Sequence, residues 1–313
     1  MVNSTQDFLQ RLIKNVESVV LGKHEVVQMS LVALLAGEHV LLEDVPGVGK
    51  TLVAKAISKS IEGKFTRIQF TPDLLPSDIL GSSIYRSTTG NFEFSSGPIF
   101  ANVVLADEIN RAPPRTQSAL LEAMSERQAI VDGITYPMPD PFIIMATQNP
   151  FEFEGTYVLP ESQLDRFLVR IEIGYPARAS EREVLRSHNL GEPVDQLTSV
   201  VTLSEVKSAQ QTVRAVRFED TVLDYLQDIV DVTRKSNELQ IGVSTRGTLS
   251  YYRACQARAI LQNREFVTPD DVKNLAVPII AHRIIPKGFA AGSDRQLVEA
   301  TVRRMLESVR VPV

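Results

Sequence analysis

The chain has 313 residues, 43% of them apolar and 23% charged, with a formal net charge of −5. That balance suits one large or two ordinary globular domains with a sizeable core, and its acidity disfavours nucleic acid as the main partner. Cys255 is the single cysteine, which excludes an internal disulfide and a cysteine-based zinc site, and no apolar run approaches the roughly 18 residues of a membrane span. His24, His39, His188 and His282 lack metal-ligand spacing and read as structural. The first twenty residues have no apolar core or cleavage site of a signal peptide, which predicts a cytoplasmic protein.

Phe8, Leu9, Leu12, Ile13, Val16, Val19 and Val20 recur at helical spacing and predict a helix over 7–20, with a second, more buried helix over 25–36. HVLLED follows as a short strand candidate, then a glycine-bearing loop, then a helix from Thr51 to Ile61. Apolar runs return at RIQF (67–70), NVVLAD (102–107), FIIMAT (142–147) and FLVRIEI (167–173). Buried strands alternating with helices predict a mostly parallel sheet covered on both faces. Two excursions interrupt it. YRSTTGNFEFSSGPIF spans 85–100, and QAIVDGITYPMPDPF (128–142) carries Asp132-Gly133 as a hairpin signal. After Tyr175-Pro176 the pattern turns helical. Ser180-x-x-Glu183 and Thr202-x-x-Glu205 read as capping boxes, and Thr268-Pro269-Asp270-Asp271 as another helix start. Residues 190–198 read as a linker. The division expected is an α/β domain over 1–175 and a smaller all-α domain over 176–313.

The loop, LLEDVPGVGKT (41–51), departs from the usual phosphate-binding pattern because Asp44 stands where the first glycine belongs. Gly47 and Gly49 retain close backbone approach to a phosphate, and the helix start adds its positive end. The expected nucleotide-binding set is Pro46, Gly47, Val48, Gly49, Lys50, Thr51 and Leu52. Lys50 would reach the β- and γ-phosphates of ATP, and the Thr51 hydroxyl would hold magnesium (Mg2+). An aspartate aimed at phosphate would oppose binding, so Asp44 should point away and cap its own turn. NVVLADE ends in Asp107, expected on magnesium, and Glu108, expected as general base toward water. Ligands of open parallel sheets bind beyond the carboxyl ends of strands, so both halves should meet at one edge. Asn149, at the end of a third strand, is placed to bond the γ-phosphate or the attacking water. For each motif taken alone, a solvated turn or strand end is the alternative.

Together these segments resemble the MoxR family of AAA+ ATPases. The resemblance runs through VVLGKHEVVQ (19–28), EDVPGVGKT, FTPDLLPSDILG (70–81), GPIFANVVLADEINRAPP (97–114), ATQNP, LPESQLDRF (159–167) and STRGT, nearly the whole length. It implies a P-loop AAA+ core followed by a helical lid. It implies that Asn149 is sensor 1, Arg166 an arginine finger reaching a neighbouring subunit's γ-phosphate, and Arg246 sensor 2 in the lid. A finger acting in trans implies a homo-oligomeric ring, a hexamer by the family pattern. Residues 85–100 then match the insert in helix 2, residues 128–142 the hairpin before sensor 1, and Gly22 to Val26 the adenine contact. Arg111 and Arg115 either face a neighbour or begin a solvated helix. An intramolecular ion pair is the alternative for Arg166, and a structural salt bridge for Arg246. The expected function is ATP hydrolysis driving chaperone-like remodelling of client proteins, some with von Willebrand factor A domains. Two rivals remain, a nucleic-acid translocase and a nucleotide-gated scaffold. The hairpin insert lacks lysine and arginine and the other segment carries only Arg86, which weighs against DNA.

Overall fold

The computed structural model describes residues 2–45, 47–150, 155–187, 191–288 and 295–312. Helix α1 (Val2–Glu17) buries Phe8, Leu12 and Val16 along one stripe, whereas α2 (His24–Ala36) buries every residue from Leu31 to Leu35 and keeps no polar face there. Gly37 ends α2 in the left-handed region, at φ 71°, and the Gly37 and Glu38 N–H groups return to Leu34 and Ala33 carbonyls.

Strand β1 (Val40–Glu43) leads through the glycine loop into α3 (Lys50–Ser60), followed by β2 (Ile61–Glu62), β3 (Phe65–Gln69) and α4 (Pro76–Leu80). A hairpin of β4 (Gly81–Arg86) and β5 (Asn91–Ser96) precedes β6 (Val103–Asp107) and α5 (Pro114–Glu126). A second hairpin, β7 (Gln128–Val131) and β8 (Ile134–Pro137), precedes β9 (Ile143–Gln148), α6 (Glu161–Leu164) and β10 (Val169–Ile171). Among the described residues the main sheet has five strands, all parallel, in the order β10-β1-β9-β6-β3. Its alternating side chains divide two cores. Val40 and Leu42 pack with α1–α3, while Leu41 faces Ile79 of α4 and Leu120 of α5. This two-sided burial is why β1, β6 and β9 read as unbroken apolar runs.

The remaining chain forms α7 (Arg178–Ser187), β11 (Val201–Thr202), α8 (Leu203–Arg214), α9 (Asp220–Lys235), β12 (Leu239–Ile241), α10 (Thr245–Leu261), α11 (Pro269–Ile280), β13 (Ile285–Pro286) and α12 (Arg295–Glu307). Helices dominate, as expected, with small pairings added: β12 with β13, and β11 alongside β2 of the preceding half. The first apolar cluster runs on without a break into this half through Val206, Tyr251, Leu275 and Val302. Thr202 caps α8, accepting from Glu205 N at 3.2 Å while Glu205 accepts from Thr202 N at 2.8 Å. Thr268 and Asp271 open α11 in the same way. Ser180 does not cap α7. The helix starts two residues earlier, with Glu181 N already bonded to Ala177 O, and the Ser180 side chain lies over Gly22, where an added Cβ would come within 2.2 Å of its hydroxyl.

Both excursions are antiparallel hairpins. Asp132 (φ 51°) and Gly133 (φ 78°) make the tight turn of the second. Phe94 of the first stacks on Tyr136 of the second, with centroids 3.8 Å apart. Cys255 and His39 are buried, and His188 lies outside the described residues. Among the described residues no helix is long and apolar enough to cross a membrane.

Candidate functional site at the sheet edge

Register aligns the carboxyl ends of three adjacent strands. Glu43 of β1 lies opposite Gln148 of β9, and Ala106 of β6 opposite Ala146. The glycine loop, Asn149 and the pair Asp107-Glu108 therefore emerge side by side.

Asp44 turns away from the loop's open side. Its Oδ1 accepts from Val45 N at 2.7 Å and its Oδ2 from Gly174 N, so the carboxylate caps its own turn and pins it to the chain leaving β10. Gly47 (φ 86°) and Gly49 (φ 98°) are both left-handed, a conformation that any side chain would strain. Among the described residues no atom lies within 4 Å of a Cβ built on Gly47, and on Gly49 the nearest is Leu52 Cβ at 3.9 Å. Helix α3 opens at Lys50 with no side-chain cap from Gly49, and its positive end is turned to the glycine loop, an arrangement that suits an anion. Lys50 Nζ donates to the carbonyls of Asp44, Val45 and Gln148. Val48, Thr51 and Leu52 are half-buried around it, and Pro46 lies outside the described residues. This cradle fits a polyphosphate.

Asp107 is nearly buried, and both of its oxygens are engaged. Thr147 Oγ1 donates to Oδ1 at 2.6 Å, while Arg67 donates to Oδ2 through Nε (3.0 Å) and Nη2 (2.6 Å). The same Thr147 hydroxyl accepts from Glu108 N at 2.8 Å. Glu108 sits at φ 58°, in the left-handed region, a strained backbone for a non-glycine residue at the point where the strand ends. Gln69 Nε2 donates to Glu108 Oε2 at 2.9 Å, and Arg111 Nε approaches the same oxygen at 3.2 Å. Arg111 thus pairs within its own chain, while Arg115 is exposed in the first turn of α5. Arg67 and Gln69 carry no motif of their own; their signal is alternation in R-I-Q-F, which turns Ile68 and Phe70 inward and Arg67 and Gln69 outward beside Asp107. Thr147 stands within ATQNP, where the sequence alone assigns it no role. Among the described residues no three His, Cys, Asp or Glu gather for a metal, so a magnesium ion here would draw on phosphate and water as well as Thr51 and Asp107.

Asn149 is buried at the end of β9, its carbonyl accepting from Asn110 Nδ2 at 3.3 Å. Arg166 lies elsewhere. Its Nη1 donates to Leu121 O at 2.8 Å and to Ser125 on the last turns of α5, and its Nε has no hydrogen-bond partner among the described residues. Asp165 does not pair with it. That carboxylate receives Arg283 Nε at 2.9 Å and Ser244 Oγ at 2.8 Å, joining the turn before β10 to the N-cap of α10. Arg283 is fully buried, and it also donates to the Phe167 and Leu168 carbonyls. Burial holds its pKa down to about 10, with Asp165 opposing the fall. Gly247 makes room for it, since a Cβ there would meet Arg283 Cδ at 2.8 Å. Arg246, one turn residue away, is exposed and has no ion-pair or hydrogen-bond partner among the described residues.

Residues 39–169 match the family described as "ATPase family associated with various cellular activities (AAA)", and residues 232–302 match the AAA lid domain. An uncharacterized protein of Bacillus subtilis, YeaC, is 48% identical over 97% of this chain and 95% of its own. The chaperone MoxR1 of Mycobacterium tuberculosis is 40% identical over 97% of this chain and 82% of its own. The crystal structure of a candidate ATPase from Cytophaga hutchinsonii superposes with a TM-score of 0.87 at 36% identity, covering 99% of this chain and 98% of that one. With the sheet order, the phosphate cradle and the acidic strand end already in place, these likenesses establish that the chain belongs to the MoxR family of AAA+ ATPases.

Proposed function

We propose that the chain hydrolyses ATP with magnesium and uses the cycle to remodel client proteins from the cytoplasm. The observation that carries this reading is that the α3 cradle after β1 and Asp107-Glu108 at the end of β6 lie at the same sheet edge, on the two strands that flank β9. The N–H groups from Gly47 to Leu52 and the Lys50 ammonium bind and orient the phosphates. Thr51 and Asp107 would hold magnesium, which would supply neutralisation of phosphate charge. Gln69 and Arg111 fix Glu108 by Oε2, leaving Oε1 to accept the proton of the attacking water. Asn149 orients that water or the γ-phosphate, and Gly22 to Val26 contact adenine. Arg166 completes a neighbour's site within a ring, a hexamer by analogy with the family, and Arg246 senses nucleotide from the lid. The core is 1–175 and the lid 176–313.

A protein client is favoured over DNA by the inserts themselves. Ile84, Tyr85, Phe92, Ile130 and Ile134 are exposed on the two hairpins, and Arg86 faces Glu93 at 3.5 Å. A client with a von Willebrand factor A domain follows from the family alone. The test is ATPase activity per subunit across protein concentrations, with Glu108→Gln as blank. Activity should rise and then plateau as rings form. Arg166→Ala should bind ATP yet hydrolyse poorly, and recover when mixed with Glu108→Gln subunits. Activity no higher than the blank, with or without a client, would leave a nucleotide-gated scaffold as the better reading.

A further inference from the structure

The residue expected on magnesium already carries a cation. Arg67 places two N–H groups on Asp107 Oδ2, at 2.6 and 3.0 Å, while Oδ1 is taken by Thr147. No Asp107 oxygen is left without a hydrogen bond. The two partners differ in freedom. The Asp107 side chain is 10% exposed and anchored on a central strand, whereas Arg67 is 48% exposed on β3, the edge strand of the sheet. Arg67 can swing into water; Asp107 cannot move to meet a new partner. A divalent ion arriving at Oδ2, directly or through a bound water, contests the same lone pairs and repels the guanidinium.

Arg67 is also tied to the general base. Its Nη2 donates to Gln69 Oε1 at 2.9 Å, and Gln69 Nε2 donates to Glu108 Oε2 at 2.9 Å. One guanidinium thus bridges Asp107 to the amide that holds Glu108.

We propose that Arg67 is a resident counter-ion that magnesium must displace from Asp107, so that this one side chain sets the metal requirement of the site and releases Gln69 when metal arrives. The inference rests on Asp107 being the metal-holding residue.

The test uses Mn2+ as probe, its free concentration read by electron paramagnetic resonance on the full chain saturated with ADP. Arg67 is half-exposed on an edge strand, so Arg67→Met is expected to fold. Removing the competitor should tighten Mn2+ by about two- to fivefold, the worth of a partly exposed ion pair. Arg67→Lys, which keeps the charge but loses the two-pronged grip, should fall between. Metal-free ADP binding in EDTA should be the same for Arg67→Met and wild type. Unchanged or weakened Mn2+ binding in Arg67→Met would overturn the proposal, making Arg67 a support for Asp107 rather than its competitor. Weaker metal-free ADP binding would overturn it too, by placing Arg67 on phosphate. Asp107→Asn separates the two levels of the argument. If it leaves Mn2+ affinity unchanged, the metal role of Asp107 fails; if it weakens Mn2+ while Arg67→Met does nothing, only the competition fails.

Discussion

His39 offers a prediction whose size follows from its surroundings. It precedes β1, fully enclosed, with the ring edge-on to Phe142 at 5.6 Å. Ile144 N donates to Nδ1 at 3.0 Å, and a backbone amide can only donate, so Nδ1 bears no proton. Nε2 carries it and donates to Met124 O at 3.2 Å. A second proton would turn Nδ1–H against Ile144 N–H in a dry pocket. Burial first, and the Arg127 charge after it, lower the pKa from 6.5 to about 4 against the opposing hydrogen bond to Met124. Between those values the unfolded chain binds a proton that the folded chain refuses, so stability rises with pH there. The contribution of neutral His39 is full above the unfolded value, falls as pH drops through the window, and is flat below the folded value. From about pH 7 to about pH 5 the loss amounts to about 2 kcal/mol. Urea unfolding of wild type and His39→Gln at both pH values reads it as a difference of differences, in which every other titrating group cancels. Wild type should lose about 2 kcal/mol more than the variant. Parallel losses in the two proteins would refute the assigned tautomer and burial.

Lys50→Ala should weaken ATP binding by at least about tenfold, measured with a fluorescent nucleotide, because a charge-assisted phosphate contact is lost. Asp165→Asn strands the buried Arg283 guanidinium without its counter-charge and should cost about 3 kcal/mol in urea unfolding; adding Arg283→Met should recover part of that loss. Thr202→Ala removes the cap of α8 and should cost about 1 kcal/mol by the same measurement.

The sheet was legible because β1, β6 and β9 are buried on both faces, and the candidate site because Lys50, Asp107 and Asn149 stand in short contiguous motifs at or just after strand ends. The turn at Asp132-Gly133 and the caps at Thr202 and Thr268 were legible because each device is local. Asp44 was readable for a physical reason: an anion facing phosphate is disfavoured, and its carboxylate does face its own backbone and Gly174. Ser180 misled because a capping pattern takes no account of Gly22, which lies against it in space. Arg67, Gln69 and Thr147 stayed hidden. In sequence they are an outward strand face and a strand-interior threonine, and only the pairing of β3 with β6 and the order of β9 beside β6 bring them to the acidic pair. The link from Asp165 to Arg283 spans 118 positions, beyond any spacing argument.

The stacking of Phe94 on Tyr136 has a mechanical consequence. Two hairpins from separate connections are clasped at that contact, so force applied to the exposed tip at Phe92 is shared with β7 and β8. Strand β7 begins directly after α5 and its left-handed terminal residue, Arg127, leaving no slack between hairpin and helix. The last turns of α5 are the ones on which Arg166 rests, through Leu121 O and Ser125. A tug on the outer tip therefore travels along a short, stiff lever to the seat of the arginine that faces the next subunit in the proposed ring.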